Sequence, residues 1–185
     1  MEVSMAALKP VVIGIVFKRA PSGALMILTQ RRISNPLYPL YDPIYGDTQE
    51  AVGETLKEGE SVLDALMRGC AEECGHPDFS PLRIYGAEGR LTWTTGKKDT
   101  ILCCDPFCFV QQMGPPQPWL GPVFAVEVSQ DFAPDHSKSD GESAAPQWWT
   151  AAELRNAIAD NPSKFMGLHM PAYEKFCDAV LAGKF

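Results

Sequence analysis

Ser61–Cys74 is the segment that most limits what this chain can become. Ser61 is a good helix N-cap, and Asp64 three residues later is a short version of a capping-box acid. Gly75 supplies a C-terminal stop, with Pro77 two residues beyond. At 100° per residue, Leu63, Leu66, Met67, Cys70 and Cys74 fall within about 100° of one another and predict the stripe that meets the core. The other face carries Ala65, Arg68, Gly69, Glu72 and Glu73. One helix therefore brings an arginine, two adjacent carboxylates and an interior glycine to a single side.

The flanking sequence reads mostly as strands. Lys9–Lys18, with its VVIGIVF run, and Ala24–Gln30 predict a hairpin across the turn Ala20-Pro21-Ser22-Gly23. Residues 33–49 are rich in Pro and Tyr and predict a loop with a short strand. Leu82–Thr92, Ile101–Gln112 and Pro122–Val128 predict strands, and Asp131–Ala145 a polar loop. Thr150–Ala159, with Glu153 three residues after its cap, and Pro171–Leu181 predict helices. No repeat or linker divides the chain, so residues 1–185 are expected to form one domain. Its expected core is a mixed sheet covered by helices on both faces.

Charge narrows the function. Lys and Arg number 16 against 23 Asp and Glu, a net charge of −7. General DNA or RNA binding needs a basic face and is not expected. Anionic small molecules remain accessible if a divalent cation lies between them and the protein. The longest aliphatic run near the start, Val11–Phe17, is too short to span a bilayer, and residues 1–10 show no signal-peptide pattern. A cytoplasmic protein with free thiols is expected, and a homodimer is compatible with the sequence. Cys70, Cys74, Cys103, Cys104, Cys108 and Cys177 form no CxxC pair and are expected to pack in the core.

Adjacent carboxylates repel. Glu72 and Glu73 read either as a solvated pair, eased by an i,i+4 contact from Arg68, or as ligands of a hard cation such as Mg²⁺. Glu73 sits at the edge of the apolar stripe, where an unpaired charge is costly.

The segment Gly53-Glu54-Thr55-Leu56-Lys57-Glu58-Gly59-Glu60, followed by the helix through Gly75, resembles the box of the Nudix hydrolases, G-x5-E-x7-R-E-U-x-E-E-x-G-U. Glu60 matches the first glutamate, Arg68 the arginine, Cys70 the first aliphatic position, Glu72-Glu73 the acidic pair and Gly75 the closing glycine. A hairpin ending in Gln30-Arg31-Arg32 precedes the box. Trp148, Thr150, Glu153 and Leu154 follow it in the family's usual place before a helix.

The resemblance implies a Nudix fold, an α/β/α sandwich with a mixed β-sheet. It also implies Mg²⁺- or Mn²⁺-dependent hydrolysis of a nucleoside diphosphate derivative. Glu72 and Glu73 occupy metal-binding positions, and Arg68 pairs with Glu60 to orient the loop. Glu142, in Asp140-Gly141-Glu142, looks like the distant carboxylate that the family often adds. The expected catalytic acids are thus Glu73, Glu72 and Glu142. Arg31, Arg32 and Arg90 are candidates for phosphate, as are Lys97 and Lys98; Trp93, Trp119, Tyr85 and Phe107 are candidates for stacking on a base.

Three positions depart from the pattern. Gly69 stands where the box has a glutamate, Glu54 where it has its first glycine, and His76 at the closing aliphatic position. Gly69 removes an acid from the centre of the cluster and costs the helix about 1 kcal/mol against alanine. On propensity alone, Gly69→Glu is expected to stabilise the helix and tighten metal binding. Glu54 is a candidate replacement metal ligand, or the loop merely differs. A hydrolase, with activity reduced by the loss at Gly69, and a nucleotide- or partner-binding protein without efficient hydrolysis both follow.

Overall fold

The computed structural model describes residues 8–34, 42–88, 91–94, 100–113 and 117–185. Ten strands and four α-helices appear among them, in the order β1 (Lys9–Arg19), β2 (Leu25–Arg32), α1 (Asp42–Tyr45), β3 (Gln49–Glu50), β4 (Val52–Thr55), α2 (Val62–Cys74), β5 (Arg83–Tyr85), β6 (Leu91–Thr94), β7 (Thr100–Cys103), β8 (Cys108–Gln112), β9 (Trp119–Glu127), β10 (Ser143–Thr150), α3 (Ala151–Asp160) and α4 (Met170–Leu181).

Strand β1 is central because it is apolar on both faces. Val11, Ile13, Ile15 and Phe17 enter one buried cluster with Leu154 and Ile158 of α3 and Tyr173 and Phe176 of α4. Val12 and Val16 point the other way, into a cluster with Leu63, Leu66, Cys70 and Cys74 of α2. Two-residue alternation thus builds two cores on one sheet, with α2 on one face and α3 and α4 on the other. Gly14 lets α2 come close: a β-carbon there would lie 2.8 Å from Leu66 Cδ1. The sheet runs β10-β2-β1-β9-β5, with β3 on β2, β4 on β1 and β8 on β9. β1 and β9 are parallel and the other pairs antiparallel, so the sheet is mixed, as expected.

Helix α2 starts at its Ser61 cap, whose hydroxyl accepts from Asp64 N–H, and ends on Gly75 in the left-handed region. Its buried set is wider than one stripe. Ala65, Gly69 and Glu73 are buried as well as Leu63, Leu66, Cys70 and Cys74, and Met67 is only half-buried. The cause is β4, which covers the side expected to face outward. Thr150 and Glu153 form a complete capping box on α3.

Several expected strands break. The run from Leu82 stops at Gly86, which has φ +89° and where a β-carbon would collide with the Asp105 carbonyl. The run from Ile101 is interrupted before Cys108, leaving β7 to pair with β6 in a separate ribbon. The polar loop ends at Ser143, where β10 begins, and a short helix, α1, lies inside the expected 33–49 loop. Cys70, Cys74 and Cys177 are buried, and half-buried Cys104 and Cys108 pack against the two cores, but Cys103 is exposed, so core packing does not account for that thiol. Tyr85 and Phe107 pack with Phe17, Phe176 and Phe185 in an aromatic cluster rather than facing a ligand. No helix among the described residues is long and apolar enough to cross a membrane.

Candidate active site

The site forms where β1 and β2 part. They pair near the hairpin turn, Phe17 with Ile27 and Arg19 with Leu25. Further on, β4 takes the edge of β1, Ile13 opposite Gly53, while β3 takes the edge of β2, Gln30 opposite Glu50. The chain therefore crosses the gap at Ala51. Alternation sends Glu54 to the α2 side, and Glu50, Gly53, α2 and the start of β10 meet within a few residues.

Glu73 is the buried anchor. Its Oε1 accepts from Gly53 N–H at 3.0 Å, and its Oε2 from Gln30 Nε2 at 3.2 Å and Ser143 Oγ at 3.3 Å. These bonds replace water around a carboxylate only 6% exposed. Burial, and next the charge of Glu50, still push its carboxyl well above the ordinary range. Glu50 is buried beside it and shares the Ser143 hydroxyl, at 3.2 Å. Burial raises Glu50 to about 7 against the opposing charge of Arg32, whose guanidinium lies 3.4 Å away.

Arg68 ties the loop to the helix. Its Nε and Nη2 donate to the two oxygens of Glu60, each at 2.9 Å, and Nη2 also reaches Thr55 O at 3.1 Å. Such a fork is a strong arginine–carboxylate geometry. Arg68, followed by Lys57 N–H, holds Glu60 down at about 2. Nη1 meets Glu54 Oε2 at 2.6 Å and Glu72 Oε2 at 3.3 Å. Glu72 is the more open of the acidic pair, with 43% side-chain exposure.

Gly69 and Glu54 are packed together. A β-carbon on Gly69 would lie 3.0 Å from Glu54 Cβ, 3.5 Å from its Cγ and 3.4 Å from Val52 Cγ1. The notch left by the missing helix side chain is filled by a strand side chain. The expectation that Gly69→Glu stabilises the helix rests on propensity alone and omits this contact, because Glu54 and Val52 must shift to admit the new side chain.

Beside these residues opens a cavity of about 260 Å³. Lys9, Arg32, Glu50, Glu54, Glu142 and His169 line its polar part, and Val11, Ile13, Trp119, Met166 and Leu168 its apolar part. Glu142 is exposed at this mouth. Burial of part of its surface and the charge of Asp140 raise its carboxyl, with Glu54 and Glu72 adding to the repulsion and Arg32 opposing it. Of the three arginines proposed for phosphate, Arg32 lines the cavity. Arg31 points away, paired with Asp47 at 2.9 Å. Arg90, Lys97, Lys98 and the side chain of Trp93 lie outside the described residues. Of the stacking candidates whose side chains are described, Trp119 lines the cavity. His76 Nε2 donates to Ala133 O, 2.7 Å away, and the ring packs on Phe132, outside the acidic cluster.

Glu50, Gln30, Ser143 and His169 belong to this site and carry no spacing signal in the sequence. The one available hint was a glutamate beside Ala51-Val52, an acid next to residues that read as core.

A family model for the NUDIX domain matches residues 8–167. The chain belongs to the NUDIX family. Similar solved structures include the NUDIX domain of Shewanella oneidensis NrtR, with a TM-score of 0.60, 14% identity, and coverage of 96% of this chain and 91% of that one. A Caenorhabditis elegans Ap4A hydrolase aligns with a TM-score of 0.59, 13% identity, and coverage of 95% and 99%. The Mycobacterium smegmatis Nudix hydrolase RenU gives 0.55, 13%, 97% and 96%. At these identities the likeness is one of fold. No curated protein sequence matches the chain.

Two of the three positions that depart from the box pattern, Glu54 and Gly69, face each other in this NUDIX chain. The donors suit a hard divalent cation, since they are carboxylates and three of them, Glu50, Glu73 and Glu142, are raised by burial and further by the charge of nearby acids. Among the described residues no group of three His, Cys, Asp or Glu side chains stands ready to hold an ion as arranged. Arg68 occupies Glu54 and Glu72 instead.

Proposed function

We propose that this protein is a divalent-metal-dependent hydrolase of pyrophosphate linkages in nucleoside diphosphate derivatives. The observation that carries this reading is that Glu54 and Glu142 line one cavity beside buried Glu50 and Glu73, with Arg68 bridging Glu54 to Glu72. Burial first, and then the charge of neighbouring acids, raises both Glu142 and Glu73. The structure of the Shewanella domain was solved with ADP ribose and the C. elegans relative is an Ap4A hydrolase, which supports a nucleotide-type substrate.

Glu54, Glu72, Glu73 and Glu142 would hold Mg²⁺ or Mn²⁺. The cation would neutralise the pyrophosphate and lower the pKa of bound water. The protein's own groups do the rest. Arg32 at the cavity wall attracts phosphate oxygens. Glu142, which lines the cavity, would accept a proton from the attacking water. Arg68 and Glu60 fix the loop that carries Glu54. Because Arg68 also holds Glu54, turnover is expected to be slower than with an acid on the helix.

That same engagement favours a second reading, nucleotide binding without efficient hydrolysis. A screen over nucleoside triphosphates, dinucleotides, nucleotide sugars and capped RNA, with Mg²⁺ and with Mn²⁺, separates them. Metal-dependent release of a nucleoside monophosphate or diphosphate from at least one substrate is the expected result. Saturable nucleotide binding with no turnover under either metal would favour the second reading.

A further inference from the structure

His169 lies just before α4, 3% exposed, and one edge of its ring is committed. The crossing of the chain from β2 to β1 leaves Ala51 N–H between two strand edges, and His169 Nδ1 accepts that hydrogen bond at 3.0 Å. A neutral imidazole that accepts at Nδ1 carries its proton on Nε2. The tautomer is therefore set by the backbone.

The other edge, Cε1–Nε2, lies against Gly53. A β-carbon on Gly53 would stand 3.3 Å from both ring atoms, so the missing side chain lets the ring approach β4. His169 and Gly53 both line the cavity, together with Lys9, Arg32, Glu50, Glu54 and Glu142. The histidine thus presents one fixed donor to a cavity that Arg32 also lines, while the neighbouring rings of Tyr45 and Trp119 give the same cavity an aromatic wall suited to a base.

We propose that His169 Nε2–H donates a hydrogen bond to an oxygen of the sugar-phosphate portion of the bound nucleotide, making it a substrate-positioning and specificity-determining residue. Being neutral, it would select an acceptor oxygen without adding to the attraction for any anion. Burial, helped by the Arg32 charge, keeps the ring uncharged far below its ordinary range, so the donor does not change with pH near neutrality. The proposal rests on the nucleotide reading of this cavity.

Two variants separate a binding role from a purely structural one. Asn places an oxygen near the position of Nδ1 and leaves nothing at Nε2. Gln places an amide near Nε2 and leaves Ala51 N–H unmatched. Binding of AMP, GMP, CMP, UMP and ribose 5-phosphate is measured by titration calorimetry, beside Tm, for wild type, His169→Asn and His169→Gln. None of these probes contains a pyrophosphate bond.

His169→Asn is expected to melt close to wild type and to bind about tenfold more weakly, with ribose 5-phosphate affected as much as the best nucleotide. His169→Gln is expected to melt lower yet keep most of its affinity. Wild-type affinity in His169→Asn would overturn the proposal, as would a wild type that binds none of the probes. A loss seen for nucleotides and not for ribose 5-phosphate would also overturn it, by moving the contact to the base. If the binding difference holds but no pyrophosphate substrate is turned over, the hydrolase reading falls and the role of His169 stands.

Discussion

Glu54 fills the space that Gly69 leaves open: the β-carbon that Gly69 lacks would lie 3.0 Å from Glu54 Cβ. Measured against the box that the sequence resembles, glycine and glutamate stand in each other's positions across the contact between β4 and α2. An acid is retained at the site, but it hangs from the strand and is held by Arg68 at 2.6 Å. Each departure alone looks like damage to the box. Together they are sterically complementary.

Removing charge at Glu73 should weaken metal binding while changing side-chain volume little. Glu73→Gln is expected to lower Mn²⁺ affinity by about tenfold or more, since a neutral amide is a poor ligand for a hard cation. Equal affinity in wild type and variant would place the metal elsewhere.

Arg68 is expected to matter for the fold before it matters for chemistry. Arg68→Ala leaves Glu54, Glu60 and Glu72 facing one another without the guanidinium and Thr55 O without its donor. With the arginine side chain 18% exposed, a loss of about 2 kcal/mol is expected, read as a lower Tm in the absence of metal. An unchanged Tm with abolished substrate binding would show that Arg68 contacts the ligand instead.

Acid should destabilise the protein through His169. Burial and the Arg32 charge lower its folded-state value to about 3, against 6.5 for an ordinary histidine. Between those values the unfolded chain binds a proton that the folded chain refuses. Stability from this group is therefore present above pH 6.5 and lost as pH falls, by about 1.4 kcal/mol at pH 5.5. Denaturation curves at pH 7.5 and 5.5 should separate by less in His169→Asn than in wild type. Equal separation would show that the ring is charged, or reachable by protons, in the fold.

Much of the framework was legible because it depends on local patterns. Ser61, Thr150 and Glu153 cap helices from within a few residues, and the alternation of Val11–Phe17 marks a strand buried on both faces. The spacing of Glu60, Arg68, Glu72 and Glu73 resembled the family box, and in the fold Arg68 does fork onto Glu60. The residues that were not legible depend on long-range contact. Glu50 becomes part of the site only because β3 lies beside Gln30 and Ser143, and His169 reaches Ala51 across 118 positions of sequence. Gly86 breaks a strand because of a carbonyl at Asp105 that no local pattern reveals. The burial of Gly69 was missed for a similar reason, since a helical wheel does not show that β4 will cover the second face.

The exchange itself is tested most directly by Mn²⁺ titration of wild type, Glu54→Gly, Gly69→Glu and the double variant Glu54→Gly/Gly69→Glu. Glu54→Gly is expected to bind Mn²⁺ about tenfold or more weakly, because it removes the strand carboxylate. Gly69→Glu alone is expected to lower Tm, since its β-carbon meets Glu54. The double variant, returning both positions to the family pattern, should recover wild-type affinity to within about threefold, a non-additivity expected of residues in contact. Undiminished Mn²⁺ binding by Glu54→Gly, or a wild type that binds no Mn²⁺, would contradict the assignment of Glu54 as the relocated acid.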